Sequence, residues 1–142
     1  MWERILCSCR TEQIWDGERR ATGLAPQGAP IQLGQAEGWQ PEQLLALAVD
    51  GSTMMTFLAL AESEGLEVLA YVSSVRVFHA DTDPAGVRLV LAPCIVVGSH
   101  DSIPVATRLI EEALASSPVG RSLRVAPRLE PEIVEAPLTV HA

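Results

Sequence analysis

The stretch PEQLLALAVDGSTMMTFLALAESEG, residues 41–65, limits what this chain can fold into more than any other segment. It predicts one long helix over residues 41–64, because Pro41 suits a first helical turn, Glu42 favours the positive end of the helix dipole, and Gly65 is a typical helix stop. The helix is apolar on nearly every side, and its one small polar cluster, residues 50–53, lies at the centre. Such a helix must be covered all round, either by a second helix and sheet or by a partner subunit. At 142 residues we favour a homodimer.

Strand patterns flank this helix on both sides. Short alternating runs over residues 1–35, with Asp16 and Gly17 at a turn, predict an antiparallel meander of two or three strands that contributes to the dimer. Residues 66–99 hold two β-rich runs that predict a hairpin. Short strands are expected again over residues 122–136.

A second helix is predicted over residues 102–117, with Asp101 or Ser102 as its cap and Pro118 as its end. The order of elements is therefore ββ(β)-α-ββ-α-β(β) in a single domain over residues 1–142, an α+β fold with antiparallel sheet. The apolar stripe of this helix consists of Ile103, Ala106, Leu109, Ile110, Ala113 and Leu114.

Composition excludes several classes of function. The net charge of −8 argues against nucleic acid or a membrane surface as a partner. The absence of lysine argues against Schiff-base chemistry. Asp50 interrupts the longest apolar tract, so no membrane span is expected. Three cysteines without a signal peptide predict free thiols in the cytoplasm. His79, His100 and His141 lack ligand-like spacing, so neither a metal nor a cofactor is expected.

Two motifs give the chain its resemblance to a known family. The first is Pro41-Glu42-Gln43-Leu44 at the start of the long helix, and the second is Ser117-Pro118 at the end of the second helix, preceded by Ala113. In these motifs and in its order of elements the chain resembles the OsmC/Ohr family of hydroperoxide-resistance proteins. The resemblance implies an OsmC-like fold, with antiparallel sheets packed around two long helices in an intertwined homodimer.

The resemblance also points to a site. The family places a peroxidatic Cys in the middle of the first helix and a resolving Cys directly before the proline, and the matching residues here are Ser52 and Ser117. A hydroxyl cannot replace a thiolate that attacks a peroxide and is then resolved as a disulfide. The resemblance therefore implies a relative without dithiol peroxidase activity that keeps an apolar pocket for a small organic molecule. It also implies that Ser52 and Ser117 lie close together, with Cα atoms within roughly 7 Å or a little more, the limit of disulfide geometry plus relaxation.

Two further positions take their expected roles from the family, which uses a Glu near the start of the first helix and an Arg from an N-terminal loop to bind the peroxide. Glu42 matches the former, and either Arg19 or Arg20 matches the latter. Ten residues of straight helix span about 15 Å, so Glu42 cannot reach Ser52 of its own chain directly. A shared pocket would need a break in the helix near Gly51 or residues from two subunits.

Other interpretations of these residues stay open. The chain could be an active organic hydroperoxide reductase that uses Cys7, Cys9 or Cys94. Cys7 and Cys9 face one side of a predicted strand, and each could meet Cys94. The alternative is that the three cysteines are simply small buried residues on strands. A structural interaction subunit is a third possibility. Asp50 in an apolar helix needs a partner, for which we expect an arginine of this chain or its twin.

Overall fold

A computed structural model of the chain describes residues 10–34, 37–79, 82, 84 and 86–137. Its elements follow the order expected from the sequence, with three strands, a long helix, two strands, a second helix and two short strands. The bounds are β1 Glu12–Gly17, β2 Arg20–Leu24, β3 Ile31–Leu33, α1 Pro41–Glu64, β4 Val68–His79, β5 Val87–Val97, α2 Ser102–Ser116, a 3-10 helix Gly120–Ser122, β6 Arg128–Leu129 and β7 Glu132–Glu135.

Two compact units make up the chain, the first ending at Leu44 and the second beginning at Leu45. In the first, β1, β2 and β3 form the antiparallel meander that the sequence predicts. The β1–β2 turn, Glu18-Arg19, lies two residues later than the Asp-Gly signal, because Gly17 still pairs with Arg20 and Glu18 takes a positive φ of 51°. Within residues 10–34 and 37–44, Ala21 is the one apolar side chain that is buried.

Helix α1 begins at Pro41 and ends where the sequence predicts. Gly65 has a φ of 70°, its N–H donates to Glu62 O, and the Leu66 N–H donates to Ala61 O, which is the Schellman pattern of a helix stop. One face of α1 is buried. A single chain leaves other apolar side chains of α1 exposed, namely Leu47, Met55 and Leu58.

By length and composition alone, α1 would suffice to cross a membrane, and about a third of its most apolar window is buried. Its buried face holds Phe57, which packs against Tyr71 of β4 with ring centroids 5.8 Å apart. Helix α1 thus supplies side chains to the core of the second unit.

The sheet of the second unit differs in one respect from the expected antiparallel sheet. β4 and β5 form the predicted hairpin, but β6 and β7 both pair with β5 in parallel. Helix α2 follows β5 in the chain and returns the chain to the end of the sheet where β5 begins, so β6 and β7 run in the same direction as β5. A helix is the usual connection between parallel strands. The sheet is therefore mixed.

Helix α2 packs on this sheet with the stripe expected from the sequence. Ala106, Leu109, Ile110 and Ala113 have no exposed surface, and they share a core cluster with Phe57 and with β5 residues. Asp101 is the N-cap residue, but its side chain makes no capping hydrogen bond. Instead the Ser102 and Ile103 N–H groups donate to Ser99 O and His100 O.

Candidate functional site

The polar centre of α1 lies on an unbroken helix. The backbone is helical without interruption from Pro41 to Glu64, so the predicted alternative that α1 breaks near Gly51 is wrong. Gly51 and Ser52 are half-buried, whereas Asp50 and Thr53 are buried. The Thr53 hydroxyl is satisfied locally, since it donates to Val49 O at 2.8 Å. Ser52 therefore stands at the edge of the buried face.

Ser117 lies directly after α2, and its surroundings follow from Pro118. The residue before a proline is driven out of the helical region, and Ser117 is extended, with φ −60° and ψ 122°. Its N–H donates to Leu114 O, and its side chain is completely buried. The next residues turn into a 3-10 helix, which brings the Gly120 N–H to 3.2 Å from Ser117 Oγ.

The two serines meet. Ser117 Oγ donates to Ser52 Oγ at 2.7 Å, so the proximity that the motif alignment requires is present. Ser117 uses its proton for Ser52 and a lone pair for Gly120, which satisfies its buried hydroxyl. In the described part of the chain, neither hydroxyl contacts a carboxylate or an imidazole, so the pair has no general base of the kind a serine nucleophile needs.

Asp50 finds a different partner from the one expected. Its Oδ2 accepts a hydrogen bond from Ser73 Oγ of β4. Among the described residues no arginine pairs with Asp50, so the expected arginine partner is not found there. Ser73 belongs to the inward face of β4, from which it reaches α1. Strand alternation in "YVSSVRV" could have suggested an inward serine, but not which helix residue it meets.

Two buried polar atoms near this contact have no hydrogen-bond partner among the described residues, namely Asp50 Oδ1 and the Tyr71 hydroxyl oxygen. Burial raises the pKa of the Tyr71 phenol, and the nearby Asp50 carboxylate raises it further. Tyr71 therefore stays neutral over the whole physiological range. No motif of the sequence singles out Tyr71, although it is the only tyrosine of the chain.

Glu42, Arg19 and Arg20 belong to the first unit. Arg19 lies in the β1–β2 turn and Arg20 opens β2, both exposed, while Glu42 is half-buried in the first turn of α1. Both arginines line one cleft. Across the described chain, Glu42 forms no ion pair with either arginine.

A profile described as OsmC-like protein matches residues 34–132, which is most of the chain. The chain belongs to the OsmC-like family. A search of curated protein sequences gave no match.

Solved structures agree with this assignment at the level of the fold. An OsmC-like protein of unknown function from Vibrio cholerae is 14% identical, with a TM-score of 0.78 over 88% of this chain and 99% of that one. An organic hydroperoxide resistance protein OsmC from Legionella pneumophila is 16% identical, with a TM-score of 0.69 over 92% and 99%. The organic hydroperoxide resistance protein OhrB of Bacillus subtilis is 15% identical, with a TM-score of 0.64 over 90% and 98%. The expected OsmC-like α+β fold is confirmed.

The cysteines of this OsmC-like chain are placed as follows. Cys7 and Cys9 lie outside the described residues. Cys94 is half-buried on β5, between Pro93 and Ile95, which are fully buried. Because successive strand residues point to opposite faces, Cys94 faces away from the helices that carry Ser52 and Ser117.

No cluster of three or more His, Cys, Asp or Glu side chains suited to a metal ion occurs within the described ranges of this OsmC-like chain. His100 is exposed, with its Nδ1 4.0 Å from a Glu135 carboxylate oxygen. His141 lies outside the described residues, and His79 ends β4. The arrangement that the fold does assemble is therefore the pair of serines.

Proposed function

We propose that this chain is an OsmC-like protein that has lost the dithiol peroxidase cycle and binds a small organic molecule. The observation that carries the proposal is the 2.7 Å hydrogen bond between Ser117 Oγ and Ser52 Oγ. By resemblance these two positions hold the peroxidatic and resolving cysteines of the family, which must approach each other to form a disulfide. The contact between the serines supports placing them at those two positions.

The chemistry of the serine hydroxyl explains why the dithiol peroxidase cycle would be lost. Peroxide reduction transfers one oxygen to a thiolate, releases the alcohol, and leaves a sulfenic acid that a second thiol converts to a disulfide with loss of water. Two electrons come from sulfur in this cycle, and a serine hydroxyl has no comparable oxidised state. The half-buried Ser52 can hydrogen-bond a ligand, but neither Ser52 nor Ser117 can donate those electrons. Cys94 faces the opposite side of the sheet and is not placed to replace them.

An apolar cleft beside the serine pair supports the binding part of the proposal. It has a volume of about 310 Å³. Leu114 and Gly120, which both hydrogen-bond Ser117, line it together with Ala115 and Leu129, and Glu111 and Arg121 also contribute to its lining. Small-molecule pockets of proteins begin at about 300 Å³ and are mostly apolar. We propose that this cleft takes a neutral apolar molecule such as an alcohol.

We propose that the protein acts as a cytoplasmic homodimer. The support for the dimer is the exposed apolar surface of α1, where Leu47, Met55 and Leu58 are 52%, 68% and 39% exposed. Isolated apolar side chains on a surface are ordinary, but several on one long helix indicate a face that is covered by a partner. The support for the cytoplasm is the odd number of cysteines.

A peroxidase assay tests the loss of activity. Wild-type protein with cumene hydroperoxide and a dithiol reductant should show no turnover above background, while the Ser52→Cys/Ser117→Cys double variant regains the two sulfurs. A Cys94→Ser variant serves as the control for the remaining thiol. Turnover by the wild type that disappears in a Cys7→Ser, Cys9→Ser or Cys94→Ser variant would contradict the proposal.

Ligand binding is tested separately with 2-phenyl-2-propanol, the neutral alcohol that cumene hydroperoxide yields. Ala115→Trp should fill the cleft and abolish binding measured by calorimetry, because Ala115 is exposed and lines it. Ser116→Trp is the matched control, since Ser116 is the exposed neighbour on α2 and does not line the cleft. Equal loss of binding in both variants, or no binding by the wild type, would speak against the binding site.

A further inference from the structure

The apolar cleft at the end of α2 has two charged side chains at its border, and an apolar alcohol would leave both of them unused. They are Glu111 of α2 and Arg121 of the 3-10 helix. We propose that the preferred ligand of this cleft is an α-amino acid with an apolar side chain, whose ammonium group binds Glu111 and whose carboxylate binds Arg121. This inference rests on the proposed function, because it assigns the chemical class of the molecule that the same cleft would hold.

Neither charge is neutralised within the described part of the chain. Among those residues, Glu111 and Arg121 form no ion pair with each other or with another side chain. The basic residue nearest to Glu111 in the sequence is Arg108, which contacts Glu64 and Glu112 instead. Glu111 and Arg121 are both exposed, so both remain available to a ligand.

The two charges belong to different walls of the cleft. Glu111 shares one face of α2 with Leu114 and Ala115, three and four residues further on, and all three line the cleft. Arg121 lines it from the segment that follows α2. A carboxylate is attracted by Arg121 and repelled by Glu111, and an ammonium group experiences the reverse. A ligand that carries both groups therefore gains two contacts in a single orientation.

The dipole of α2 reinforces the expected position of the ammonium group. Ala115 lines the cleft and belongs to the last turn of α2, which is the negative end of the helix dipole. No basic side chain lies in this last turn. A cation beside this wall is therefore stabilised by the helix as well as by Glu111, which lies one turn earlier.

The lining between the two charges determines the side chain of the ligand. Leu114, Pro127 and Leu129 line the cleft, so the part of the ligand that enters it must be apolar. The volume of about 310 Å³ lies at the lower end of the range of small-molecule pockets, which begins at about 300 Å³. A single amino acid suits a cleft of this size better than a peptide does. Its two charged groups are carried by one carbon, at the border of the cleft.

The turn that carries Arg121 is held in place by hydrogen bonds of the protein itself. The Arg121 N–H donates to Ser117 O at 3.0 Å, and the Gly120 N–H donates to Ser117 Oγ at 3.2 Å. In the same turn, Ser122 Oγ donates to Pro118 O at 2.9 Å. A site whose backbone is fixed before binding loses less entropy when the ligand arrives.

Calorimetry on the full chain tests whether both charges of the ligand are recognised. L-phenylalanine is compared with 3-phenylpropanoate, which lacks the ammonium group, and with 2-phenylethylamine, which lacks the carboxylate. We expect phenylalanine to bind about tenfold more tightly than either analogue, because one hydrogen bond to a charged group contributes roughly one tenfold step in affinity. Added salt should weaken the binding of phenylalanine, since both contacts are electrostatic and lie at the surface.

Two variants assign each charged group of the ligand to its partner. Arg121→Gln should weaken phenylalanine and 3-phenylpropanoate about tenfold and leave 2-phenylethylamine unchanged. Glu111→Gln should weaken phenylalanine and 2-phenylethylamine about tenfold and should not weaken 3-phenylpropanoate. Glu112→Gln and Arg124→Gln are the matched controls, because both residues are exposed, lie close by in the sequence and do not line the cleft. A variant that was merely misfolded would lose all three compounds alike.

Three outcomes would overturn the inference. The first is equal binding of phenylalanine and its two analogues, with no effect of Glu111→Gln or Arg121→Gln. The second is an equal loss in the Glu112→Gln or Arg124→Gln control, which would show diffuse surface charge rather than a site. The third is no binding of phenylalanine. If 2-phenyl-2-propanol still binds in any of these cases, the proposed apolar site stands without the amino acid; if it does not bind either, both proposals for the cleft fail.

Discussion

Ser117 Oγ donates to Ser52 Oγ over 2.7 Å, and this single hydrogen bond joins the end of α2 to the middle of α1. The bond connects residues 65 apart in sequence. It depends on two local facts, the extended conformation that Pro118 imposes on Ser117 and the unbroken course of α1 through Gly51. Its consequences can be measured without knowing the ligand.

Replacing both serines by cysteine should allow an intramolecular disulfide. A disulfide needs its sulfur atoms about 2.05 Å apart, and side-chain oxygens already at 2.7 Å require only a small adjustment of the side chains. After mild oxidation, mass spectrometry of the Ser52→Cys/Ser117→Cys variant should show a bridge between these two positions. Single variants are the controls and should show none. Only intermolecular bridges in the double variant would contradict the geometry.

Removing the Ser117 hydroxyl should destabilise the protein by about 1–3 kcal/mol, the usual effect of leaving a buried group without its partner. In Ser117→Ala the buried Gly120 N–H loses its acceptor, whereas in Ser52→Ala that bond remains. We therefore expect Ser52→Ala to have the smaller effect in urea denaturation. Ser116→Ala is the control, because Ser116 is exposed. An order in which Ser52→Ala is the more destabilising would contradict this assignment of the hydrogen bonds.

The Asp50–Ser73 contact should show strong coupling in a double-mutant cycle. Ser73→Ala leaves a buried carboxylate without its one hydrogen-bond partner, so it should cost about 1–3 kcal/mol of the free energy of unfolding. In an Asp50→Ala background the same change should cost clearly less, because no carboxylate remains to be stranded. Ser74→Ala, on the exposed face of β4, is the matched control. Additive effects of the two changes would refute the coupling.

Tyr71 predicts a loss of stability at alkaline pH. Its pKa is raised in the folded state above the ordinary value of 10.0, so the folded chain holds its proton where the unfolded chain releases it. The free energy of unfolding should be unaffected by this group below about pH 10 and should fall as the pH rises above it. Because the chain has one tyrosine, the phenolate absorbance reports this group directly. In Tyr71→Phe the alkaline decline should be reduced, and an unchanged decline would show that the Tyr71 phenol is not its cause.

Light scattering tests the homodimer. At micromolar concentration the wild type should have twice the mass of the chain, because Leu47, Met55 and Leu58 are left exposed by a single copy. Met55→Glu should shift the population towards monomer, while Ser116→Glu on the exposed face of α2 should not. A stable wild-type monomer would exclude this arrangement.

Much of the fold could be predicted because its signals are local. The ends of α1 follow from Pro41 and Gly65, and the inward stripe of α2 follows from helical spacing, since such signals act within a few residues of where they stand. The parallel pairing of β6 and β7 could not be predicted in this way, because strand direction depends on the path of α2 rather than on the strand residues.

The candidate site, too, could be predicted only in part. The approach of Ser52 and Ser117 was expected from the family resemblance, which carries information about distant contacts that hydrophobic pattern lacks. The family resemblance did not predict the partner of Asp50. That partner is Ser73, and the contact depends on how α1 lies on β4. The sequence does contain the inward position of Ser73, but a pattern of alternation does not say which helix residue stands opposite it.

Strand β5 has a consequence for how the protein folds. Of the described strands in its sheet, it alone pairs on both sides, with β4 directly before it in the chain and with β6 and β7 far after it. The hairpin with β4 can form early, since it closes a short loop, whereas Cys94 meets Glu132 only after the whole of α2 has been brought back. We therefore expect the docking of β7 to be the late step of folding. A nascent chain that ends before residue 128 would have its central strand open along one edge.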